Sequence, residues 1–249
     1  MDRALYIAMS GAKQNTLGIA ASANNLANVS TTGFRQDFEQ ARSMPVFGDF
    51  YPTRAYAMEE RPSSDFNPGT LVSTGRDLDL AIDNQGWFAV QDDKGEEAYT
   101  RRGDLHVDSL GRLMNGEGKQ MMGNAGPIVL PPFEKIEIAK DGTISIRASG
   151  DEPAVVADVG RLKLVSPDLK EMEKGLDGLF HMRGQQPGDA QPQVEVVEVV
   201  KGHLEHSNVN SVLALTQMLS MQRQYEMQVK MMKTVDENAQ TTSSILDIQ

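Results

Sequence analysis

The chain has 249 residues, enough for one large domain or two smaller ones with a sizeable core. Charged residues make up 24% and hydrophobic residues 39%, which is typical of a folded rather than a disordered chain. The formal net charge of −11 disfavours the phosphate contacts that dominate nucleic-acid binding, so we expect neither nucleic acids nor anionic membranes as partners. The absence of cysteine excludes disulfides, thiolate catalysis and cysteine-bound metals.

The first thirty residues contain no basic region followed by a continuous apolar core and a cleavage site, so they predict no cleaved secretory signal. No stretch approaches the roughly eighteen apolar residues of a transmembrane helix. These patterns alone predict a cytoplasmic protein, unless the chain is exported by another route.

The first predicted element is a helix over residues 3–28, which ends in a run of Asn, Ser and Thr before Gly33. Small and apolar residues recur in this helix at alternating spacings of four and three, whereas neighbours such as Ser22 and Asn25 are polar. This spacing predicts one heptad seam. The seam consists of Leu5, Met9, Ala12, Thr16, Ile19, Ala23 and Leu26.

Residues 36–76 contain four prolines and scattered aromatic residues, a composition that favours an extended connector. Residues 77–206 follow with short runs of high β-propensity, separated by turn sequences at 84–86, 93–95, 108–111 and 141–142 that could each close a hairpin. This regular spacing predicts an antiparallel all-β domain with Trp87 in its core. The clearest predicted strands are residues 78–82, 87–91, 97–100, 105–107, 136–139, 143–147, 155–165, 178–182 and 193–200.

The last predicted element is a helix over residues 211–246, a stretch that contains neither Gly nor Pro. At 1.5 Å per residue it would be roughly 54 Å long, which exceeds the diameter of a small domain. A helix of that length buries its apolar seam against another element, and the N-terminal helix is the predicted partner. The seam consists of Ala214, Met218, Met221, Tyr225, Gln228, Met232, Val235, Ala239, Thr242 and Leu246.

These elements predict an α+β fold in which long N- and C-terminal helices pair as a coiled-coil core, with an extended connector and a central antiparallel all-β domain. The predicted domains are residues 1–35 for the N-terminal helix, 36–76 for the connector, 77–206 for the outer β domain and 207–249 for the C-terminal helix.

No pattern in the chain predicts a catalytic, cofactor-binding or metal site. His203 and His206 lie three residues apart, but no further zinc ligand accompanies them in the sequence. Asp77, Asp79 and Asp83 alternate with apolar residues, as on the solvated face of a strand. We therefore expect no enzyme activity, no cofactor and no metal.

Several motifs occur in order along the chain. They are ANNLANVSTTGFR at residues 23–35, GRDLDLAI at 75–82, GWFAV at 86–90, YTRRG at 99–103, EHSNVN at 205–210 and QRQYE at 222–226. These motifs, in this order, resemble those of flagellar rod and hook proteins. Within this family of the bacterial flagellar basal body, the start of the chain and its modest length are most similar to the proximal-rod members. The family-signature residues are Asn24, Asn25, Leu26, Ala27, Asn28, Gly33, Phe34, Ser207, Asn208, Val209 and Asn210.

The resemblance implies a structural subunit that polymerises through its terminal helices into a rod and transmits torque across the periplasm. It implies export by the flagellar type III export gate without a cleaved signal peptide, with Phe34 and Phe38 as candidate recognition residues. The implied partners are other rod proteins, further copies of the chain and the export gate. The expected assembly interface contains Leu5, Met9, Ala12, Ile19, Ala23, Leu26, Met218, Met221, Tyr225, Met232, Val235 and Leu246.

Three alternatives differ from this interpretation. A distal-rod protein shares the same motifs. A β-domain adhesin or other binding module on a helical stalk would also combine helices with strands, but a stalk lies on one side of its head, whereas this chain has helical segments at both termini. An enzyme with an unrecognised site is a third hypothesis.

Overall fold

The computed structural model describes residues 2–39, 41–47, 55–59, 63–83, 85–148, 157–184, 190–194 and 196–246. The chain divides into two compact units. Unit 1 consists of Met1–Val29, Gln36–Asp65 and Val209–Gln249, and unit 2 consists of Ser30–Arg35 and Phe66–Asn208. The chain thus enters unit 2 for six residues between the first helix and the first strand of unit 1.

Unit 1 contains the two long helices, α1 (Asp2–Ala27) and α2 (Ser211–Leu246), which pack along one another. Two antiparallel strand pairs accompany them, and α1 packs against one strand of each pair. The strands are β1 (Asp37–Phe38) with β4 (Ser63–Ser64), and β2 (Ala41–Pro45) with β3 (Ala55–Glu59).

Asparagine side chains fix the ends of the helices in unit 1. The Asn210 side-chain oxygen accepts hydrogen bonds from the backbone N–H groups of Val212 and Leu213, both at 3.1 Å, and so caps the first turn of α2. Near the end of α1, the buried Asn25 amide donates to the Asp37 carbonyl and accepts from the Asp37 N–H, each at 2.8 Å. Because a buried polar group is costly without partners, this reciprocal pair fixes β1 against α1.

Unit 2 is built from antiparallel strands. Its largest sheet has the order β16–β7–β8–β18–β17, a second has the order β13–β14–β15, and the remaining strands form pairs, β5 with β20, β6 with β19, β9 with β10 and β11 with β12. The strands are β5 (Leu71–Ser73), β6 (Leu80–Ile82), β7 (Trp87–Gln91), β8 (Glu97–Thr100), β9 (Leu105–Val107), β10 (Leu113–Asn115), β11 (Met122–Gly123), β12 (Gly126–Pro127), β13 (Phe133–Ile138), β14 (Thr143–Ala148), β15 (Ala157–Arg161), β16 (Leu164–Val165), β17 (Met172–Lys174), β18 (Phe180–Met182), β19 (Val199–Lys201) and β20 (His203–Glu205).

The core of unit 2 lies on both faces of β7. Phe88 and Val90 point into a large cluster of Leu, Ile and Val side chains contributed by most of the strands. Trp87 and Ala89 point the other way, into a smaller cluster with Tyr99 and Phe180. This alternation is the two-residue period of a strand that is covered on both sides.

The α+β class, the terminal helices and the central antiparallel β domain are confirmed. Strands β7, β8 and β9 begin and end where predicted, Trp87 is buried, and the turns at 93–95, 108–111 and 141–142 close hairpins. The turn at 84–86 does not, because β6 pairs with β19 rather than with β7. Residue 84 itself lies outside the described ranges.

The connector and the position of Asp79 differ from what the sequence predicted. The described part of residues 36–76 forms β1 to β5, and the boundary between the units falls inside it, so a separate connector is not confirmed. The assignment of Asp79 to a solvated face is wrong, since this residue is 1% exposed, whereas Asp77 and Asp83 are exposed. Backbone hydrogen bonds to Gly202 and Arg76 hold Asp79 just before β6, where the alternation of a strand does not yet apply.

No helix in the described ranges is long and apolar enough to cross a membrane.

Candidate assembly interface

The covered face of α2 follows one heptad series. Among the side chains described in α2, those that are not exposed are Ala214, Met218, Met221, Gln228, Met232, Val235 and Ala239. All of them belong to the 4–3 series read from the sequence. Two further members, Tyr225 and Thr242, are exposed, and the side chain of Leu246 lies outside the described part.

The face of α1 that meets α2 is made of small residues. A Cβ atom added to Gly11 would lie 2.5 Å from Gln228 Nε2, and one added to Gly18 would lie 2.7 Å from Met221 Sδ. Gly18 and Ser22 are buried on α1. The two helices therefore approach closely because glycine presents no side chain at these positions.

This face differs from the seam predicted for α1. Met9 and Ala23 are exposed, Leu5, Ile19 and Leu26 are half-buried, and Ala12 is buried at 6% exposure. The predicted seam contains no glycine, whereas the observed contact with α2 includes Gly11 and Gly18, which carry no apolar signal. Helix α1 also packs against β1 and β3, so its buried residues do not form a single stripe.

Much apolar surface on the helices of unit 1 is exposed within the subunit. Tyr6 and Met9 of α1 are each more than half exposed. A surface with this many exposed apolar side chains indicates a contact site for another protein. The exposed large hydrophobic residues of α2 are Val212, Leu213, Leu215, Leu219, Tyr225, Met227, Val229, Met231 and Ile245.

Residues 30–35 belong to unit 2 and contain the signature residues Gly33 and Phe34. Gly33 has a φ of 68°, and an added Cβ would lie 2.5 Å from the Arg101 backbone, so glycine is required there. The Gly33 N–H donates to the Glu205 carbonyl at 2.7 Å, which places this segment beside the chain that leads to α2. In the second signature, Asn208 Nδ2 donates to the Asn67 carbonyl at 3.0 Å, and Val209 is buried at the start of unit 1.

Three charged side chains are buried together next to this segment. Arg35 is 0% exposed, and its Nη2 atom lies 2.6 Å from Glu205 Oε1. Arg101 Nη1 donates to Glu205 Oε2 at 3.1 Å, and the Gly69 N–H donates to Oε1 at 2.8 Å. Burial lowers the pKa of Arg101 to about 10, while Glu205 raises it and Arg35 lowers it, so the guanidinium stays charged at neutral pH.

Aromatic rings complete the surroundings of this cluster. The guanidinium carbons of Arg35 and Arg101 lie 5.8 Å and 5.4 Å from the centroid of the Trp87 ring. Such cation–π contacts are stronger where water is excluded. Lys174 Nζ lies 3.9 Å from the Phe34 ring and donates to the Arg35 carbonyl at 3.2 Å.

The two candidate export residues occupy different places. Phe34 is half-buried in unit 2 beneath Lys174, whereas Phe38 belongs to β1 of unit 1 and is 39% exposed. Their shared role in export stays a prediction.

The described residues offer little for bond-making chemistry. The groove of unit 1 that is lined by α1 and α2 contains mainly amide and small side chains, with Glu39 as its titratable residue. In unit 2, ligand atoms of Asp92, Asp177 and His181 lie within 4.8 Å of one another, and His181 Nε2 lies 3.3 Å from Asp177 Oδ2. These groups are half-buried or exposed, and such a group is common on protein surfaces without a metal.

Sequence reasoning missed the cluster of Arg35, Glu205 and Arg101. The signal was present, since each of the three lies inside or beside a motif that carries the family resemblance. Spacing along the chain does not reveal it, because the three residues are far apart in sequence and pair only in the folded unit.

Sequence models of three flagellar protein families match this chain. Residues 5–35 match the flagella basal body rod protein family, and residues 81–146 match the D1 domain of the flagellar hook protein FlgE/F/G family. Residues 200–245 match the C-terminal region of the flagellar basal body rod FlgEFG proteins.

Relatives match the chain over its full length. The flagellar basal-body rod protein FlgF of Escherichia coli K12 is 41% identical over 251 residues, and that of Salmonella typhimurium LT2 is 40% identical over 254 residues, with 100% of each chain covered in both comparisons. The flagellar basal-body rod protein FlgG of Agrobacterium fabrum is 29% identical over 273 residues, which cover 98% of this chain and 99% of the relative.

Proposed function

This chain belongs to the family of flagellar basal-body rod proteins, and on that premise we propose that it is a proximal-rod subunit which polymerises through its terminal helices and transmits torque across the periplasm. The observation that carries the proposal is the surface of α2. One face of this helix is covered within the subunit, and the rest leaves a series of large apolar side chains exposed. Contacts with neighbouring subunits would bury that surface in a rod.

The proposed partners are other rod proteins and further copies of this chain. In an assembly, every copy presents the same α1 and α2 surfaces, so a small apolar contact is repeated in each subunit. We propose that the interface includes Leu5, Met9, Ala12, Ile19, Ala23, Leu26, Met218, Met221, Tyr225, Met232, Val235 and Leu246, together with the exposed apolar residues of α2.

Complementation tests this function. Expressed in Escherichia coli K12 that lacks its own FlgF, the chain is expected to restore swimming, and to be found in purified basal bodies. Imaging of those basal bodies then separates a proximal from a distal position. A chain that is secreted but absent from basal bodies would instead support the binding module on a helical stalk. The higher identity to FlgF than to FlgG relatives favours the proximal position.

Export through the flagellar type III gate, without a cleaved signal peptide, is the second part of the proposal. A substrate of that gate passes unfolded, so both Phe34 and Phe38 would be accessible to the gate during export. Replacing both residues by Ala is expected to abolish secretion. The matched control replaces Phe47, an aromatic residue that is 79% exposed, by Ala and should leave secretion unchanged. Normal secretion of the Phe34 and Phe38 double variant would assign both rings to folding alone.

A further inference from the structure

Two chain segments that are distant in sequence run side by side inside unit 2. Residues 33–35 follow α1, and residues 205–208 precede α2. The Gly33 N–H donates to the Glu205 carbonyl at 2.7 Å, and the Asn208 N–H donates to the Phe34 carbonyl at 3.4 Å. The points where the chain leaves unit 2 for the two helices are thus held next to each other by residues of unit 2.

The side chains at this junction carry an unbalanced charge. Arg35 and Arg101 contribute two positive charges, and Glu205 contributes one negative charge, all at 5% exposure or less. The Nε and Nη1 atoms of Arg35 have no hydrogen-bond acceptor in the described part of the chain. Burial of an ion is costly unless an opposite charge compensates it, and the Glu205 carboxylate contacts both guanidinium groups.

We propose that Arg35, Glu205 and Arg101 form a charge clamp that fixes the exit of α1 beside the entry of α2. Each of the three residues belongs to a different part of unit 2. Arg35 belongs to the first segment, Glu205 to the second, and Arg101 to the strand-bearing body of unit 2, between Thr100 at the end of β8 and Gly103. The carboxylate of Glu205 therefore ties both segments to the same body.

The clamp lowers the entropic cost of pairing the two terminal helices. Pairing of two segments at opposite ends of a chain closes a long loop, and the entropic cost of closure grows with loop length. Once the clamp holds residues 35 and 205 together, the helices join as neighbours, and their effective concentration rises without any new helix contact. Folding of unit 2 thus brings the start of α2 close to the end of α1 and favours pairing of the two helices.

A distance measurement on the purified full chain tests the clamp independently of assembly and motility. Because the chain has no cysteine, Ser30→Cys combined with His206→Cys gives one spin-label pair, and both side chains are exposed in unit 2. In this background the wild-type clamp is expected to give a single narrow distance distribution by pulsed electron paramagnetic resonance. Near-ultraviolet circular dichroism of Trp87 reports whether unit 2 is folded.

Matched substitutions separate the clamp from general stability. Arg35→Ala removes the ion pair that joins the two segments, whereas Arg101→Ala removes the ion pair that joins Glu205 to the body of unit 2 and leaves the Arg35–Glu205 pair in place. Arg35→Ala is expected to lose the narrow distribution, and Arg101→Ala is expected to keep it, with unit 2 folded in both. Glu205→Gln should broaden it as well, whereas Glu97→Gln should not, although it breaks the buried Lys163–Glu97 pair at 2.6 Å.

Two outcomes would overturn the proposal. A narrow distribution in Arg35→Ala would mean that the backbone hydrogen bonds suffice to hold the segments together. Equal broadening in Arg101→Ala or Glu97→Gln would mean that the separation reports only a loss of stability. If Glu205→Gln fails to fold, the Arg35→Ala and Arg101→Ala pair still decides between the two cases.

Discussion

The cores of the two units are built on different principles. In unit 2, β7 is covered on both faces, and residues such as Phe88 and Leu164 are 0% exposed. In unit 1, α2 has one covered face along its length, and its most buried residue is Ala214 at 2% exposure. A small side chain buries little apolar area, so burial within the subunit stabilises unit 2 far more than it stabilises the helices of unit 1.

This difference leads us to expect different behaviour from the two units. We expect unit 2 to fold without neighbours, because its strands bury large apolar side chains within the unit. The helices of unit 1 leave large apolar side chains exposed, and we expect other subunits to cover them. The comparison therefore predicts that substitutions in unit 2 act on folding, whereas substitutions in α2 act on assembly.

The largest effect is expected for Val235→Asp on the covered face of α2. Val235 is half-buried in an apolar contact, where a charge costs up to several kcal/mol unless an opposite charge compensates it. The lesion recurs in every copy of the subunit, so rod assembly and swimming should be lost while unit 2 stays folded and secretion continues. Motility on soft agar and basal-body purification measure this.

Lys233→Asp is the matched control for Val235→Asp, because Lys233 is exposed on the same helix. It should be clearly milder. Equal loss of motility from both substitutions would show that α2 is enclosed on all sides in the rod. Normal motility of Val235→Asp would remove the assembly role of this face.

The next effect belongs to unit 2, where Leu164→Ala deletes a fully buried side chain of β16. Truncation of a buried leucine costs about 2–5 kcal/mol in the free energy of unfolding, because the cavity relaxes only in part. Urea denaturation followed by Trp87 fluorescence measures the loss. A cost below about 1 kcal/mol would contradict the idea that this core is tightly packed.

How far the sequence predicts this molecule depends on whether its signals are local. The α2 seam was readable because its residues follow one another at fixed spacings along one helix. Strands β7, β8 and β9 were readable because the turns at 93–95 and 108–111 close the hairpins of β7 with β8 and of β9 with β10. In contrast, the sequence does not predict β5 and β20, because these paired strands lie at opposite ends of the sequence of unit 2. The ion pair of Arg35 with Glu205 is likewise not predicted, because the two residues are far apart in the chain. The helix contact through Gly18 was missed because glycine carries no apolar signal.

That contact gives a prediction of intermediate size. Gly18→Val adds a branched side chain where a Cβ alone would lie 2.7 Å from Met221 Sδ. Overpacking of this kind costs about 1–3 kcal/mol, so pairing of α1 with α2 should weaken and motility should fall. Ala20→Val places the same side chain on the exposed side of α1 and controls for helix propensity. Equal motility of the two variants would show that close approach of the helices is not needed.

The smallest effect on the isolated chain is expected for Leu219→Ala. The substitution is the same as in Leu164→Ala, but Leu219 is 47% exposed on α2, so the free energy of unfolding should change by less than about 0.5 kcal/mol. In a rod the same side chain would be covered by a neighbour, and its removal would cost part of the roughly 1.5–3 kcal/mol that burial of a leucine contributes. Basal-body yield should therefore fall although stability does not, whereas Gln222→Ala, an exposed polar position on α2, should change neither. A loss of stability as large as that of Leu164→Ala would show that Leu219 is already buried in the free subunit, and the contrast between the two units would not hold.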